Sequence, residues 1–209
     1  MTLIAHDPGH GIEVTRGGRR VIQTGTAARA DANGDGVVDA RDTEAAVNMG
    51  IAESIAHGVP WVAHMLLRDG PIGPGYTRRA AMAAEAHATF VLCHHINSFP
   101  DERTRGLRAF YLPSDQLAGD TAQVIARAAP APLWHGGATP ATHVHYPSVV
   151  NILACYANVG LPAVLIEWGF ATHPEDARVL VDLRYRPAIV ACAAAGIAHV
   201  MAATHKEIT

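Results

Sequence analysis

The chain has 209 residues, which is enough for one substantial domain and short for two. Hydrophobic residues make up 49% of the sequence, so a full core can form. The net charge is −3 and Lys206 is the only lysine, which gives no electrostatic case for a nucleic-acid partner. Three cysteines cannot all pair, and Cys93, Cys155 and Cys192 each lie in an apolar stretch. We therefore interpret them as small core residues.

The N-terminus shows no secretion signal. Met1 is followed at once by residues 2–6, which read as a first strand rather than as a charged segment before a long apolar one. We find no apolar run long enough to span a bilayer. We expect a monomer that is made in the cytoplasm and does not insert into a membrane, unless an export signal has been removed.

The first half of the chain predicts strands that alternate with helices. Residues 11–42 interrupt this order, because they are rich in Gly, Arg and Asp and show little periodicity. Asp42 or Thr43 can cap the first helix, which stops at Gly58. The predicted elements are a strand at 3–6, a helix from 43 to 58, a strand at 61–67, a helix at 78–87 and a strand at 89–94.

The second half continues the alternation. Ser114 caps a helix that runs to Ala128, and residues 134–148 look like a loop. The other predicted elements are strands at 107–112 and 163–166, a helix that opens at 174 and an apolar helix at 189–203. This order predicts a single α/β domain over residues 1–209, with a mostly parallel twisted sheet flanked by helices.

Four polar residues stand where strands end or a helix begins, the usual place for site residues in an α/β domain. They are His10, Glu44, His95 and Glu167. Two imidazoles and a carboxylate can hold a catalytic zinc ion with one position left open for water. A further glutamate can accept the proton of that water. Ordinary hydrogen-bonded histidines remain the alternative, since the chain has 13 of them.

The sequence segments around these residues resemble those of the amidase-3 family of zinc-dependent N-acetylmuramoyl-L-alanine amidases. The resemblance covers nearly the whole chain and depends on five segments in order. They are 7–11 (DPGHG), Glu44 with Asn48 four residues later, 90–98 (FVLCHHINS), 106–112 (GLRAFYL) and 162–176 (PAVLIEWGFATHPED).

The resemblance implies that His10, Glu44 and His95 bind zinc and that Glu167 is the catalytic glutamate. His95 is preferred over His94 because His94 takes the place of an apolar strand residue. The implied substrate bond joins N-acetylmuramic acid to L-alanine of the peptidoglycan stem.

Supporting roles follow from the same resemblance. Asp7, Asn97 or a backbone carbonyl would orient the ligand imidazoles. Arg78 matches a recurrent arginine of the family. Three departures bear on substrate detail: a long insertion between His10 and Glu44, bulky Trp168 beside Glu167, and His173 where asparagine is common.

The insertion contains the pattern of an EF-hand calcium loop over residues 31–42. Gly36 permits the sharp turn, and the variant resembles the loop of dockerin modules. The chain has no second copy, so we reject a cohesin-binding role. The expected structural Ca²⁺ ligands are Asp31, Asn33, Asp35, Val37 (through its carbonyl), Asp39 and Asp42.

We predict a zinc amidase that degrades peptidoglycan, of the compact phage endolysin type, and therefore antimicrobial. It would be made in a phage-infected bacterium and act at the cell wall or periplasm. Two alternatives stay open: a zinc peptidase that cuts within stem peptides, and a non-catalytic calcium-dependent wall-binding protein. His135, His143 and His145 lie in the predicted loop and are either solvent-exposed or at the rim of the cleft.

Overall fold

The computed structural model describes residues 1–16, 19–23, 25, 43–133 and 136–206. Six strands form one sheet in the order β4-β1-β5-β8-β6-β7, and β2 and β3 form a separate antiparallel hairpin. The strands are β1 (Leu3–Pro8), β2 (Ile12–Arg16), β3 (Arg19–Gln23), β4 (Ala63–Leu66), β5 (Phe90–Asn97), β6 (Arg108–Tyr111), β7 (Gly137–Pro140) and β8 (Ala163–Phe170).

The sheet is parallel except at one junction. Strand β1 pairs in parallel with β4 and β5, β5 pairs in parallel with β8, and β6 pairs in parallel with β7. Only the β6–β8 pair is antiparallel among these strands. The mostly parallel α/β sheet predicted from the sequence is therefore confirmed.

Helices cover both faces of this sheet. They are α1 (Glu44–Gly58), α2 (Tyr76–Glu85), α3 (Gln116–Arg127), α4 (Pro147–Ala157), α5 (Pro174–Val181) and α6 (Arg186–Lys206). Helix α6 contacts both α1 and α3 on one side, and α2 contacts α4 on the other. Because both faces are covered, the central strands bury residues in both directions.

Strand β5 shows how the two cores are built. Phe90 and Leu92 belong to the core beneath α1, α3 and α6, whereas Val91 and Cys93 belong to the core beneath α2 and α4. Successive side chains of a strand point to opposite faces, so an uninterrupted apolar run fills both cores. The same parity sends His94 to the first face and His95 to the second.

Helix α6 corrects the expectation that no apolar run could span a bilayer. Within the described residues, the segment Leu183–His205 is long and apolar enough by length and composition to cross a membrane. In the structure, however, Ile189, Ile197 and Val200 of this helix are buried in the main core. Its contacts with α1 and α3 are those of the core helix of an α/β domain.

Four further differences separate the predicted elements from the observed ones. The hairpin β2–β3 and helix α4 were not predicted, and strand β7 lies inside the predicted loop. Helix α3 is capped by Asp115, whose side chain accepts from Ala118 N–H at 2.9 Å, and not by Ser114. At the N-terminus of α1, Thr43 is the cap, as one of the two predicted alternatives.

The three parallel strands at the centre of the sheet end at the same edge. Strand β1 ends at Pro8, β5 at Asn97 and β8 at Phe170. Helix α1 contacts both β1 and β5, and its first residue, Glu44, is buried. In a parallel sheet this edge is where ligands bind.

Candidate active site

Three side chains that can ligate a metal ion meet at this edge of the sheet. His10 follows β1, Glu44 opens α1 and His95 comes from β5. Nε2 of His10 lies 3.0 Å from Oε1 of Glu44, and Nδ1 of His95 lies 3.2 Å from the same oxygen. One ligand atom from each residue lies within 4.8 Å of the others. Residues far apart in sequence therefore form one compact cluster of donors.

The Glu44 carboxylate is held in its ionised form. Burial alone would raise its pKa, but hydrogen bonds from His10 and His95 outweigh burial, and the pKa of Glu44 falls well below its usual range. The backbone N–H of Ile96 also donates to Oε1, at 3.1 Å. An ionised carboxylate between two imidazoles is a donor set ready for a divalent cation.

His10 has a backbone conformation that is rare outside glycine, with φ at +64°. Two residues of α2 hold it there. The N–H of His10 donates to the Tyr76 hydroxyl at 3.2 Å, and Nη2 of Arg79 donates to the His10 carbonyl at 2.6 Å. Both backbone groups of His10 are satisfied, so the helix fixes the direction in which the imidazole leaves the chain.

The side chain of Arg79 is completely buried and supports the loop that carries His10. Its Nη1 donates to Oδ1 of Asp7 and, at 2.9 Å, to the carbonyl of Pro8. The hydroxyl of Tyr156 on α4 donates to the other oxygen of Asp7. A buried ion pair offsets its desolvation only when further hydrogen bonds satisfy both partners, and this one meets that condition.

Arg68 connects the His10 loop to the start of α1. Its Nε donates to the carbonyl of Pro8 at 3.2 Å, and its Nη2 donates to the carbonyl of Ala45 at 2.8 Å. Burial lowers the pKa of the Arg68 guanidinium to about 10, so it stays charged at neutral pH. Arg68 thereby sets the spacing between the two segments that carry His10 and Glu44.

These contacts revise the supporting roles predicted from the sequence. Arg78 is exposed and pairs with Glu85 at 2.7 Å, so its neighbour Arg79 is the arginine that supports the site. Asp7 accepts from Arg79 and Tyr156, not from a ligand imidazole. Asn97 also does not bind an imidazole among the described contacts.

Glu167 lies next to the donor cluster. It is the register partner of His95 in the parallel β5–β8 pair, so the two side chains share a face of the sheet. Among the described residues no partner reaches its buried Oε2 atom. Burial raises the pKa of Glu167 well above its ordinary value, and the negative charge of Glu44 adds to this effect. The carboxyl group is therefore disposed to take up and hold a proton.

Two clefts meet at Glu167. The larger has a volume of about 700 Å³ and contains His10, Glu44 and His95 in its wall. The second, of about 520 Å³, contains Arg108, Phe110 and Tyr146 and lies on the other side of Glu167. Four residues line both clefts: Asn97, Ser148, Val149 and Glu167. A bound substrate chain can therefore extend on both sides of Glu167, into the cleft with the donor cluster on one side and into the second cleft on the other.

On the opposite face of the same strands, aromatic and histidine rings are joined in a linear chain of hydrogen bonds. The indole N–H of Trp168 donates to Nδ1 of His94 at 3.1 Å, and Nε2 of His94 lies 2.9 Å from Nδ1 of His6. Nε2 of His6 then lies 2.8 Å from Nδ1 of His64, whose Nε2 lies 2.8 Å from the carbonyl of Val59.

The hydrogen bonds of this chain can run in only one donor-to-acceptor direction, from Trp168 towards Val59. An indole can only donate and a carbonyl can only accept, so each of the three imidazoles is neutral with its proton on Nε2. Burial lowers the pKa of His94 to about 3 and that of His6 well below its usual value. His94 thus serves the core, and His95 alone of the pair reaches the donor cluster.

The remaining sequence-based assignments divide into two groups. The calcium loop at 31–42, with Asp31, Asn33, Asp35, Val37, Asp39 and Asp42, lies outside the described residues, as does His135. His143 and His145 are exposed, and His145 lines the second cleft. His173 caps α5 by accepting from Asp176 N–H at 3.4 Å.

Sequence reasoning missed Arg68, Arg79, Tyr76 and Tyr156, which support the site. For Arg79 a usable signal existed, because it precedes Ala80 and Ala83, the small residues of the buried face of α2. Arg68 and Tyr156 lie in segments whose local pattern carries no sign of the loop they contact.

Comparison with known proteins gives a family. The amidase-3 family, described as N-acetylmuramoyl-L-alanine amidase, matches residues 4–199. No curated protein matches the chain in sequence. Several solved structures share its fold. The N-acetylmuramyl-L-alanine amidase from Mycobacterium smegmatis is 20% identical, with a TM-score of 0.71 and 97% of each chain covered.

Two other structures are similar to the same degree. AmiC2 of Nostoc punctiforme is 22% identical with a TM-score of 0.69, over 96% of this chain and 97% of that one. The CwlD amidase from Clostridioides difficile, in complex with the GerS lipoprotein, is 17% identical with a TM-score of 0.73, over 97% and 100%. At these identities the likeness shows the fold. The family match spans most of the sequence and confirms the resemblance, so the chain belongs to the amidase-3 family of N-acetylmuramoyl-L-alanine amidases, enzymes that act on peptidoglycan.

Proposed function

We propose that this enzyme is a zinc-dependent amidase that cuts the bond between N-acetylmuramic acid and L-alanine of the peptidoglycan stem. His10, Glu44 and His95 would hold the zinc ion, and Glu167 would be the catalytic base. The observation that carries the proposal is the convergence of these three donors beside a carboxyl group with an unpartnered, buried oxygen.

The donor cluster fits zinc. Ligands about 2.0 Å from a tetrahedral zinc ion lie about 3.3 Å from one another. The separations of 3.0 Å from His10 to Glu44 and 3.2 Å from His95 to Glu44 are close to that value. Gly9 supports the same interpretation, because a Cβ there would come within 2.4 Å of the His95 ring. The fold therefore leaves the His95 imidazole the room it needs.

The division of labour follows from the geometry. When bound, zinc lowers the pKa of a water molecule and polarises the scissile carbonyl. Glu167 stands outside the donor cluster, and its free Oε2 can take a proton from the attacking water. Glu167 can then deliver that proton to the leaving amine of L-alanine. Arg79 and Arg68 keep His10 and Glu44 in position throughout.

Product analysis tests this assignment. Purified peptidoglycan is digested with zinc-loaded wild type and with Glu167→Gln, and the fragments are identified by mass spectrometry. We expect stem peptides with a free N-terminal alanine from the wild type, and none from Glu167→Gln. Fragments cut within the stem would replace the proposal with the peptidase alternative, and wall binding without any cleavage would replace it with the non-catalytic one.

A lytic role at the wall, of the endolysin type, is a finer part of the proposal. It is supported by the substrate, since removal of many stems from the glycan weakens the bacterial wall. Each zinc ligand comes from the same chain, so a monomer suffices for the site. Purified protein added to cells with a permeabilised outer membrane should lower their turbidity, and Glu167→Gln should not.

We also propose that Ca²⁺ binds at residues 31–42. Support comes from the spacing of the oxygen-bearing side chains and from the position of Asp42, directly before the Thr43 cap of α1. Calcium would then fix the start of the helix that presents Glu44. Asp31→Ala combined with Asp35→Ala should lower both the melting temperature and activity in zinc-supplied calcium buffer. Identical melting of the wild type with and without calcium would contradict this.

A further inference from the structure

Arg108 stands beside the proposed catalytic base. It lies on β6 and is the register partner of Glu167 in the antiparallel β6–β8 pair. Directly opposed residues of an antiparallel pair put their side chains on the same face, with Cβ atoms about 5 Å apart. The pairing of β6 with β8, the strand that carries Glu167, therefore fixes the position of Arg108.

The guanidinium of Arg108 contacts no partner among the residues that the structure describes. Among the arginines whose side chains the structure describes, it alone makes no hydrogen bond, ion pair or ring contact. Nearby Arg103 and Arg105, by contrast, pair with Asp101 and Glu175. Arg108 is half-buried and lines the second cleft. A partly buried cation without a counter-ion in a cleft is suited to an anionic ligand.

The direction of the substrate follows from the role of Glu167. A group that delivers a proton to the leaving amine must lie on the side of that amine. Glu167 lies at the junction of the two clefts, with the donor cluster in the first and Arg108 in the second. The acyl part of the substrate then occupies the first cleft, and the departing peptide extends into the second.

We propose that Arg108 binds the carboxylate that follows L-alanine in the stem peptide, and that it makes the enzyme prefer stems whose second residue keeps a free α-carboxylate. The inference deepens the proposed function and rests on it. The second residue of a stem is D-isoglutamate or its amide, D-isoglutamine, and only the former offers a carboxylate for the two-pronged guanidinium contact. Phe110 and Tyr146 supply apolar walls for the methylene groups of that residue.

Two substrates that differ in one group test this. N-acetylmuramoyl-L-alanyl-D-isoglutamate and the corresponding D-isoglutamine compound, both with the γ-carboxyl group blocked as a methylamide, are each given to zinc-loaded wild type, Arg108→Gln and Arg103→Gln. The last is a charge-matched control, because Arg103 is exposed and lines neither cleft. Circular dichroism melts confirm that each variant is folded.

We expect the wild type to favour the carboxylate compound roughly tenfold or more in kcat/KM, mainly through KM. Arg108→Gln should bring the ratio between the two compounds close to one, and Arg103→Gln should keep the wild-type ratio. Cleavage of both compounds with an unchanged ratio in Arg108→Gln would overturn this inference alone. Failure of the wild type to release peptide from either compound would overturn the proposed function, and the inference with it.

Discussion

Strands β5 and β8 place neighbouring polar residues on opposite faces of the sheet, and the two faces differ in how these residues are satisfied. On one face, His94 and Trp168 belong to a chain of rings in which every donor has an acceptor. On the other, Nε2 of His95 and Oε2 of Glu167 are buried without a partner among the described residues. Unsatisfied buried polar atoms are costly, so the free Oε2 of Glu167 beside the donor cluster indicates that a ligand is expected there.

The largest effect should come from the unsatisfied face. Glu167→Gln should lower the rate of stem release by a factor on the order of 10²–10⁴, because the proton acceptor is lost. The same change should stabilise the metal-free protein at pH 7 by a few degrees in melting temperature. The sign follows from the raised pKa of Glu167: the unfolded chain gives up this proton more readily, so ionisation favours unfolding above the ordinary carboxyl pKa.

Melting curves of both proteins without metal, at pH 7 and at pH 4, check the second part. The stabilisation should be present at pH 7 and small at pH 4, where the unfolded carboxyl is already largely protonated. An equal shift at both values would show that the charge of Glu167 is not its cause.

The next effect concerns the room around His95. A Cβ at Gly9 would come within 2.4 Å of the His95 imidazole, so Gly9→Ala should displace that ring. We expect roughly 10- to 100-fold weaker zinc binding, the size found when the support of a ligand is disturbed. Competition with a zinc-sensitive dye measures it. Gly137→Ala is the matched control, because nothing lies within 4 Å of its added Cβ, and equal affinities of the two variants would contradict the account.

On the satisfied face, the expected effect is on folding. His94→Ala leaves the Trp168 N–H and Nδ1 of His6 without a partner and opens a cavity in the core. We expect a loss of about 3 kcal/mol in the free energy of unfolding. Urea denaturation measures it, with His143→Ala as an exposed control that should change little. A cost below about 1 kcal/mol would show that the chain of rings contributes little.

The smallest effect, taken for one imidazole over one pH unit, is the pH dependence of the same chain of rings. His6 and His94 have lowered pKa values in the folded protein, so the unfolded chain binds more protons below the ordinary histidine pKa of about 6.5. Their contribution is complete above pH 6.5 and declines as the pH falls toward about 3. Each buried imidazole should cost about 1.4 kcal/mol per pH unit over this window. Urea midpoints of wild type and His6→Gln should therefore draw together as the pH is lowered from 7.5 to 5, and a difference that stays constant would contradict this.

Much of this arrangement follows from local sequence. The apolar run at 90–93 predicts a strand, and successive side chains of a strand point to opposite faces. His94 and His95 should therefore lie on different faces of the sheet. The alternation of strands and helices gives the sheet, and segments in family order give the four site residues. These features are determined by residues that are close in sequence, so a single sequence is enough to predict them.

What could not be predicted depends on distant contacts. The choice of Arg79 over Arg78 is decided by which side of α2 faces the buried Asp7. The chain of rings needs His6, His64 and His94 on three adjacent strands, and no pattern in any one strand reveals the others. Helix α4 was missed because it follows a Gly- and Pro-rich loop, although Val150 and Leu153 of its buried face are apolar.

The most direct test of the contrast between the two faces is the zinc content of His95→Ala and His94→Ala, measured side by side. Each variant is loaded with zinc, freed of excess metal, shown to be folded and analysed for metal per chain. We expect close to none in His95→Ala and about one in His94→Ala. A full zinc ion in His95→Ala, or its loss from folded His94→Ala, would contradict the assignment of the metal site to the cleft face.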